Sequence, residues 1–298
     1  MPKTIVVPLD ESENGERALP IAVTLARQLD AQLLLVSIYE VHPEYAQWAR
    51  DYTRETEAYL ARIASRLRPL TVSTLVLTGI DPAVEIDDAV SRMDDVILVM
   101  STLGRSGLKR LVLGSKTTRV IQLASYPVVV VPVECEDYTS PVSRILIPLD
   151  GSTFAEYALH VTRELFAETN PALDLLRVVD EVWVETHVDV ELQQELMDEA
   201  KHYLSQIGEG LRADGVDTGW GFQKSLDIAN TIVTIARHAD ANMIAIATHG
   251  RSGFSRFFLG SVADAVLRTS TVPVLVIRPT EEIVKQAPEV RAASHGED

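Results

Sequence analysis

The chain is written twice. Residues 5–19, IVVPLDESENGERAL, return at 145–159 as ILIPLDGSTFAEYAL, an offset of 140. LLVSIYE (34–40) matches DLLRVVD (174–180) at the same offset. From residue 79 onward the offset is 146, and the six extra residues fall within 181–204. A period this long excludes a solenoid and marks a duplicated domain. The 298 residues agree, since a domain takes roughly 100–200. Expected boundaries are 1–137 and 144–280, joined by a linker at 138–143 inside the apolar-poor ECEDYTSPVS, with a mobile tail at 281–298.

Each copy alternates short apolar runs with helical patterns. Strands are expected at 4–9, 33–39, 70–77, 96–101 and 127–132, then at 144–149, 173–179, 217–223, 243–248 and 273–278. Several are unbroken Val/Ile/Leu runs, as in strands covered on both faces of a parallel sheet. Residues 14–29 carry Ala18, Ala22, Leu25, Ala26 and Leu29 at helical spacing. The pattern predicts an α/β protein with two tandem Rossmann-like, doubly wound domains. Each has a five-stranded parallel sheet with helices on both faces.

Bulk properties narrow the function. A net charge of −16 repels a phosphate backbone and argues against nucleic acid as a partner. The single Cys135 excludes an internal disulfide and a cysteine-based zinc site. No apolar run approaches the roughly 18 residues of a membrane span, and MPKTIVVPLD lacks the pattern of a signal peptide. A cytoplasmic setting without membrane contact is the expectation.

The repeat also contains a loop. STLGRSGLKRLVLGS (101–115) and ATHGRSGFSRFFLGS (247–261) are identical at 9 of 15 positions. Each starts at the carboxyl end of the fourth strand, where doubly wound sheets bind ligands. Each ends in Gly114-Ser115 or Gly260-Ser261, opening a helix whose free N–H groups suit phosphate. Glycine permits close approach and the serine hydroxyl adds a donor. The glycines could equally shape a turn, with Ser115 and Ser261 as helix caps.

Each copy resembles a universal stress protein domain over almost all of residues 3–279. The nucleotide-binding form of that family carries Gly-x2-Gly-x9-Gly followed by Ser or Thr. This sequence has Ser101-x2-Gly104-x9-Gly114-Ser115 and Ala247-x2-Gly250-x9-Gly260-Ser261, with a small residue at the first glycine in both. The resemblance implies ATP or a related adenine nucleotide as ligand. It places Asp10 and Asp150 beside ribose and phosphates, with Pro8-Leu9 and Pro148-Leu149 lining the site. Ile38 and Val178 take the position that meets the adenine. Gly107 and Gly253 lie in the arms between the glycines, and Arg105 and Arg251 begin those arms, where they could screen phosphate charge. Each aspartate could instead cap the following helix. Asp10 and Asp150 could also meet Mg²⁺ carried by the nucleotide.

Other motifs fail. GSKTT (114–118) lacks the Gly-x4-Gly-Lys of a P-loop, and no Gly-x-Gly-x-x-Gly or Gly-x-Ser-x-Gly occurs. His249 could act as a base, but Leu103 replaces it in the first copy. The leading expectation is an adenine-nucleotide-binding module in a stress response, acting through protein partners the sequence does not name. The alternatives are a slow ATPase or other nucleotide-dependent enzyme, and a scaffold that has lost nucleotide binding. The apolar final strands, PVVVVPV (127–133) and PVLVIRP (273–279), are expected to pair the copies as an intramolecular pseudo-dimer, and two chains could pair further as a homodimer.

Overall fold

The unbroken apolar runs become the central strands. The computed structural model describes residues 4–40, 49–102, 113–133, 135, 139–181, 183–184, 187–249, 259–280 and 283. The chain divides into two units, Met1–Pro141 and Val142–Asp298.

In the first unit β1 (Thr4–Pro8) leads through α1 (Glu13–Glu16) and α2 (Leu19–Gln28) to β2 (Gln32–Glu40). Then follow α3 (Ala49–Arg66), β3 (Val72–Gly79), α4 (Pro82–Val90), β4 (Val96–Ser101), α5 (Ser115–Leu123) and β5 (Val128–Val131). The strand order is β5-β4-β1-β2-β3, with every neighbour parallel. The chain moves one way from β1 to β3, then crosses back to β4 and β5. Right-handed crossovers therefore put the two sets of helices on opposite faces. Ile5, Val6, Val7, Ile97, Leu98 and Val99 are all fully buried, as a sheet covered on both sides requires.

The second unit repeats the plan. It runs β6 (Arg144–Pro148), α6 (Thr153–Leu165), β7 (Ala172–Asp180), α7 (Val190–Ala213), β10 (Thr218–Ser225), α8 (Ile228–His238), β11 (Met243–Ala247), α9 (Ser261–Thr269) and β12 (Val274–Ile277). Its parallel order is β10-β7-β6-β11-β12. The segment that carries the extra length holds a small antiparallel pair, β8 (Trp183–Val184) and β9 (His187–Val188), before α7. Helix α7 is 24 residues long against 18 for α3.

The structure departs from the sequence pattern in two places. The single helix expected over 14–29 is two, α1 and α2, with Ala18 as the second N-cap and Pro20 just inside it. Proline has no N–H to donate to residue 16, so the first helix stops there. The second copy has His160 at that position, and α6 runs unbroken from Thr153 to Leu165. The strands expected at 70–77 and 217–223 also both end two residues later, at Gly79 and Ser225. Their pairing with β2 and β7 continues to Glu40↔Gly79 and Asp180↔Ser225, and this ladder outlasts the apolar pattern.

Candidate functional site

In the second unit the connections from β6 and β11 leave in opposite directions, and a cavity of about 460 Å³ opens at their carboxyl ends. The end of β6 contributes Pro148, Leu149 and Asp150, and the end of β7 contributes Leu176 to Asp180, including Val178. Across from them stand Ile246, Ala247, Thr248 and His249 from β11 and its exit, with Gly260, Ser261, Val262 and Ala263 at the start of α9. Helices α6, α7 and α8 add Ala155, Leu196, Ile228 and Ile232. Seven expected site residues of the second copy are thus on one wall or another. Gly250, Arg251 and Gly253 lie outside the described residues, as do Gly104, Arg105 and Gly107 of the first copy.

Each aspartate is fixed by the serine two residues on. Asp150 Oδ1 accepts from the Ser152 backbone N–H (3.0 Å) and hydroxyl (2.6 Å). Ser152 Oγ accepts in turn from Ala155 N (3.2 Å), capping α6. In the first copy Asp10 Oδ1 accepts from Ser12 N (3.2 Å) and Oγ (2.5 Å), and Ser12 Oγ accepts from Gly15 N (3.0 Å). This corrects the reading in which the aspartates cap the helices. The serine is the cap, because the aspartate sits two residues too early to reach the first free amides. Between each pair the backbone is left-handed, with φ of 83° at Gly151 and 64° at Glu11. Leu149 N donates to Leu176 O (2.8 Å) and Leu9 N to Val36 O (2.7 Å), so the ladder continues past Pro148 and Pro8 up to the aspartates.

The glycines at the loop ends have a defined purpose. Gly260 N donates to Thr248 O (2.7 Å), and Gly114 N to Thr102 O (2.8 Å), closing each loop onto the strand it left. Gly260 (φ −58°, ψ 146°) and Gly114 (φ −59°, ψ 143°) have dihedrals open to any residue. A Cβ on Gly260 would lie 3.1 Å from Thr248 O, so what the position requires is space. These glycines are themselves the N-caps, and no side chain caps either helix. Ser115 and Ser261 are the first helical residues, so the reading of them as caps is corrected too. The N–H groups of the first turn of α9 therefore have no intrahelical acceptor.

The first copy builds the same frame with different side chains. Buried Thr117, where the second copy has Ala263, donates to Ser101 O (3.1 Å) and ties α5 to the end of β4. Ser101 is buried, and Ile38 is half-buried opposite Leu77.

Electrostatics set the second site apart. The Arg177 side chain is only 7% exposed, with Nη2 3.7 Å from Glu199 Oε1 and its guanidinium 5.4 Å above the Tyr203 ring. Tyr203 donates to Glu156 Oε1 (3.0 Å). Burial first, then the charge and hydrogen bond of Glu156, push the Tyr203 phenol well above its usual range, while Arg177 opposes them. The first copy repeats the pair as Tyr59 donating to Glu16 (3.0 Å), but position 37 holds a serine instead of Arg177. Thr248 Oγ1 and His249 Nδ1 lie 2.8 Å apart at the cavity wall. Among the described residues no group of three or more His, Cys, Asp or Glu side chains could hold a metal ion. No helix among them is long and apolar enough to cross a membrane.

Sequence reasoning missed Arg177, Thr248 and the apolar walls from α6, α7 and α8. Only Arg177 left a trace, as the charged residue interrupting LLRVVD where the first copy has Ser37.

Two doubly wound domains with a glycine-fronted helix at each switch point form a recognisable class of tandem α/β protein. The sequence profile of the universal stress protein family matches residues 1–132 and again 141–278. The chain belongs to that family. A universal stress protein of Mycolicibacterium smegmatis is 26% identical over 302 residues, covering 92% of this chain and 97% of the relative. One from Mycobacterium tuberculosis is 27% identical over 301 residues, covering 92% and 96%. The crystal structure of a universal stress protein from Archaeoglobus fulgidus shares the fold, with a TM-score of 0.73 at 20% identity over 93% of this chain and 98% of that one.

Proposed function

We propose that the chain binds an adenine nucleotide in the cavity of the second unit, and that occupancy of this site is read by protein partners in a stress response. The observation that carries the proposal is one cavity walled by Asp150, Val178 and the uncapped first turn of α9. Its volume, about 460 Å³, lies within the range of small-molecule sites. Leu176, Ile232 and Ile246 supply an apolar surface for a base. The amides of Ser261, Val262 and Ala263 with the Ser261 hydroxyl suit a phosphate, where the helix dipole adds about 0.3–1 kcal/mol. Asp150, held by Ser152, suits a ribose hydroxyl or a Mg²⁺ ion arriving with the phosphates. The first unit offers Asp10 and Gly114 in the same frame, so a second nucleotide is part of the proposal.

The test is the identity and amount of nucleotide released on denaturing freshly purified protein, with ATP titration of the emptied protein. Two adenine nucleotides per chain support both sites, and one supports the second unit alone. None released and none bound on titration overturns the reading.

A further inference from the structure

We infer that the rim of the second-unit cavity, formed by Val190, Leu192 and Leu226, docks a basic amphipathic helix of a partner protein. The inference gives a chemistry to the partner proposed above, and it rests on that reading for what the partner senses.

The exposed large apolar side chains among the described residues are not scattered. Val190 and Leu192 are in the first turn of α7, Leu226 directly precedes the N-cap of α8, and Ile80 and Val84 flank the N-cap of α4. All five therefore stand where a helix leaves the carboxyl end of a sheet. Ile80 and Leu226 occupy the same place in the two copies, each followed by a capping aspartate, Asp81 or Asp227. An apolar residue in that place ordinarily packs on the fourth residue of the helix. Here that residue is Glu85 or Thr231, and Ile80 and Leu226 are 89% and 69% exposed. Local packing does not account for them, and apolar side chains gathered in water mark a contact surface.

In the second unit the end of β7 brings the three together. Asp180 is in register with Ser225, the neighbour of Leu226, and its carbonyl accepts from Nε2 of Gln193, the neighbour of Leu192 (3.4 Å). Leu196, one turn on from Leu192, and Ile228, two residues after Leu226, line the cavity. Ligand and partner thus touch the same two helices.

The occupant follows from charge. Asp189 and Glu191 flank Val190, Asp227 follows Leu226, and Asp180 and Glu181 lie at the strand end beside them. Against these stands Lys224, whose Nζ is already 3.4 Å from Glu181 Oε1. A second copy, with a net charge of −16 and the same acidic rim, is repelled, whereas a basic partner is drawn in. The backbone of the rim is engaged in caps, since Asp189 Oδ1 accepts from Leu192 N (3.0 Å) and Asp227 Oδ1 from Asn230 N (3.1 Å). The rim offers side-chain anchors and not a strand edge, which suits the apolar face of a helix.

The experiment is a fluorescence-anisotropy titration of the full-length protein, emptied of nucleotide. The probe is a labelled peptide of about 18 residues, leucine on one helical face and lysine on the other. Two control peptides replace every lysine by glutamate or every leucine by serine. The parent should bind the first peptide with a Kd of roughly micromolar order, more weakly as salt rises, and neither control measurably. Leu192→Ser and Leu226→Ser should each weaken binding roughly fivefold or more. Glu191→Lys should do the same by repulsion. Glu209→Gln, at the far end of α7, removes one negative charge outside the rim and should change affinity by less than about twofold. Circular dichroism checks folding, and if one serine variant unfolds, the other and Glu191→Lys decide.

Rim variants that bind as the parent does, or a Glu209→Gln that loses as much as they do, would mean that the peptide reads net charge alone and overturn the inference. Equal binding of the glutamate peptide overturns it too. So does a parent that self-associates in sedimentation until Leu226 is replaced, since a second copy then covers the rim. Repeating the titration with ATP separates this inference from the function above. Bound ATP adds negative charge beside the rim and should tighten the peptide about threefold. Docking that bound ATP leaves unchanged removes the reporting of occupancy and leaves the docking surface. Docking by a parent that binds no nucleotide removes the function proposed above, and nucleotide binding without docking removes this inference alone.

Discussion

Asp150 Oδ1 takes two hydrogen bonds from one residue, the backbone N–H and the hydroxyl of Ser152, while that hydroxyl oxygen caps helix α6. The wall of the cavity and the start of a helix therefore share a single side chain. Ser152→Ala removes both functions. Loss of the cap should cost about 1 kcal/mol, read as a lower urea midpoint with an unchanged slope. Nucleotide affinity should fall as well, because Asp150 is no longer held. Ser152→Thr keeps the hydroxyl and should restore most of both.

The residue between them decides how comfortably the turn is made. Gly151 sits at φ 83° in the second copy, where Glu11 sits at φ 64° in the first. Gly151→Ala should destabilise the protein by about 1–2 kcal/mol, the cost of a left-handed L-residue. Glu11→Gly should gain less than about 1 kcal/mol, because relief of strain is offset by losing the 3.0 Å bond from Thr56 Oγ1. Thermal unfolding of both variants, measured side by side, checks the opposite signs.

Gly260 is needed for clearance and not for its dihedrals, so the size of a replacement should govern the effect. Gly260→Ala puts a Cβ about where Thr248 O lies 3.1 Å away, and a small shift can absorb it. Gly260→Val adds two methyls beside the same carbonyl and the first turn of α9. It should lower the released nucleotide by about one per chain and reduce stability by roughly 1–3 kcal/mol. A valine variant that retains its full complement of nucleotide would place the ligand elsewhere.

Alkaline pH should loosen the protein through its buried tyrosines. Tyr59, Tyr126, Tyr157 and Tyr203 all have phenols raised above the usual value, in each case chiefly by burial. A raised pKa means that the folded state holds the proton more tightly than the unfolded chain. Their contribution is complete below about pH 10, the unfolded value, and is lost as pH rises above it. Urea midpoints should be insensitive to these groups between neutrality and about pH 9, then fall. Tyr203→Phe should make the alkaline fall shallower.

The fold was legible because both copies carry runs such as VVVV (128–131), which no amphipathic helix would tolerate, bounded by Pro, Gly and Asp. Repetition did the rest. Asp10 with Asp150, and Gly114 with Gly260, stood out because two copies agree where one would be ambiguous. Capping was less legible, since Asp and Ser are both good caps and only the three-dimensional turn shows that the serine reaches the amide. The cavity floor was not legible. Leu196, Ile228 and Ile232 read as ordinary core residues at helical spacing, and only the crossover of α7 and α8 brings them to the ends of β6 and β11. Arg177 was hidden for a related reason, since an arginine within a strand is ordinarily placed on a solvated face.

The bond from Gly260 N to Thr248 O fastens the two ends of an eleven-residue excursion together, as the bond from Gly114 N to Thr102 O does in the first copy. A clasp at the base uncouples the length of the excursion from the position of the helix beyond it. Insertions and deletions above the clasp then cost mainly closure entropy, about 0.6 kcal/mol for each doubling of length. The two copies nonetheless keep the same length and 9 of 15 residues there, so what preserves the excursion is something other than the placement of the helix, whose amides keep their address through the clasp alone.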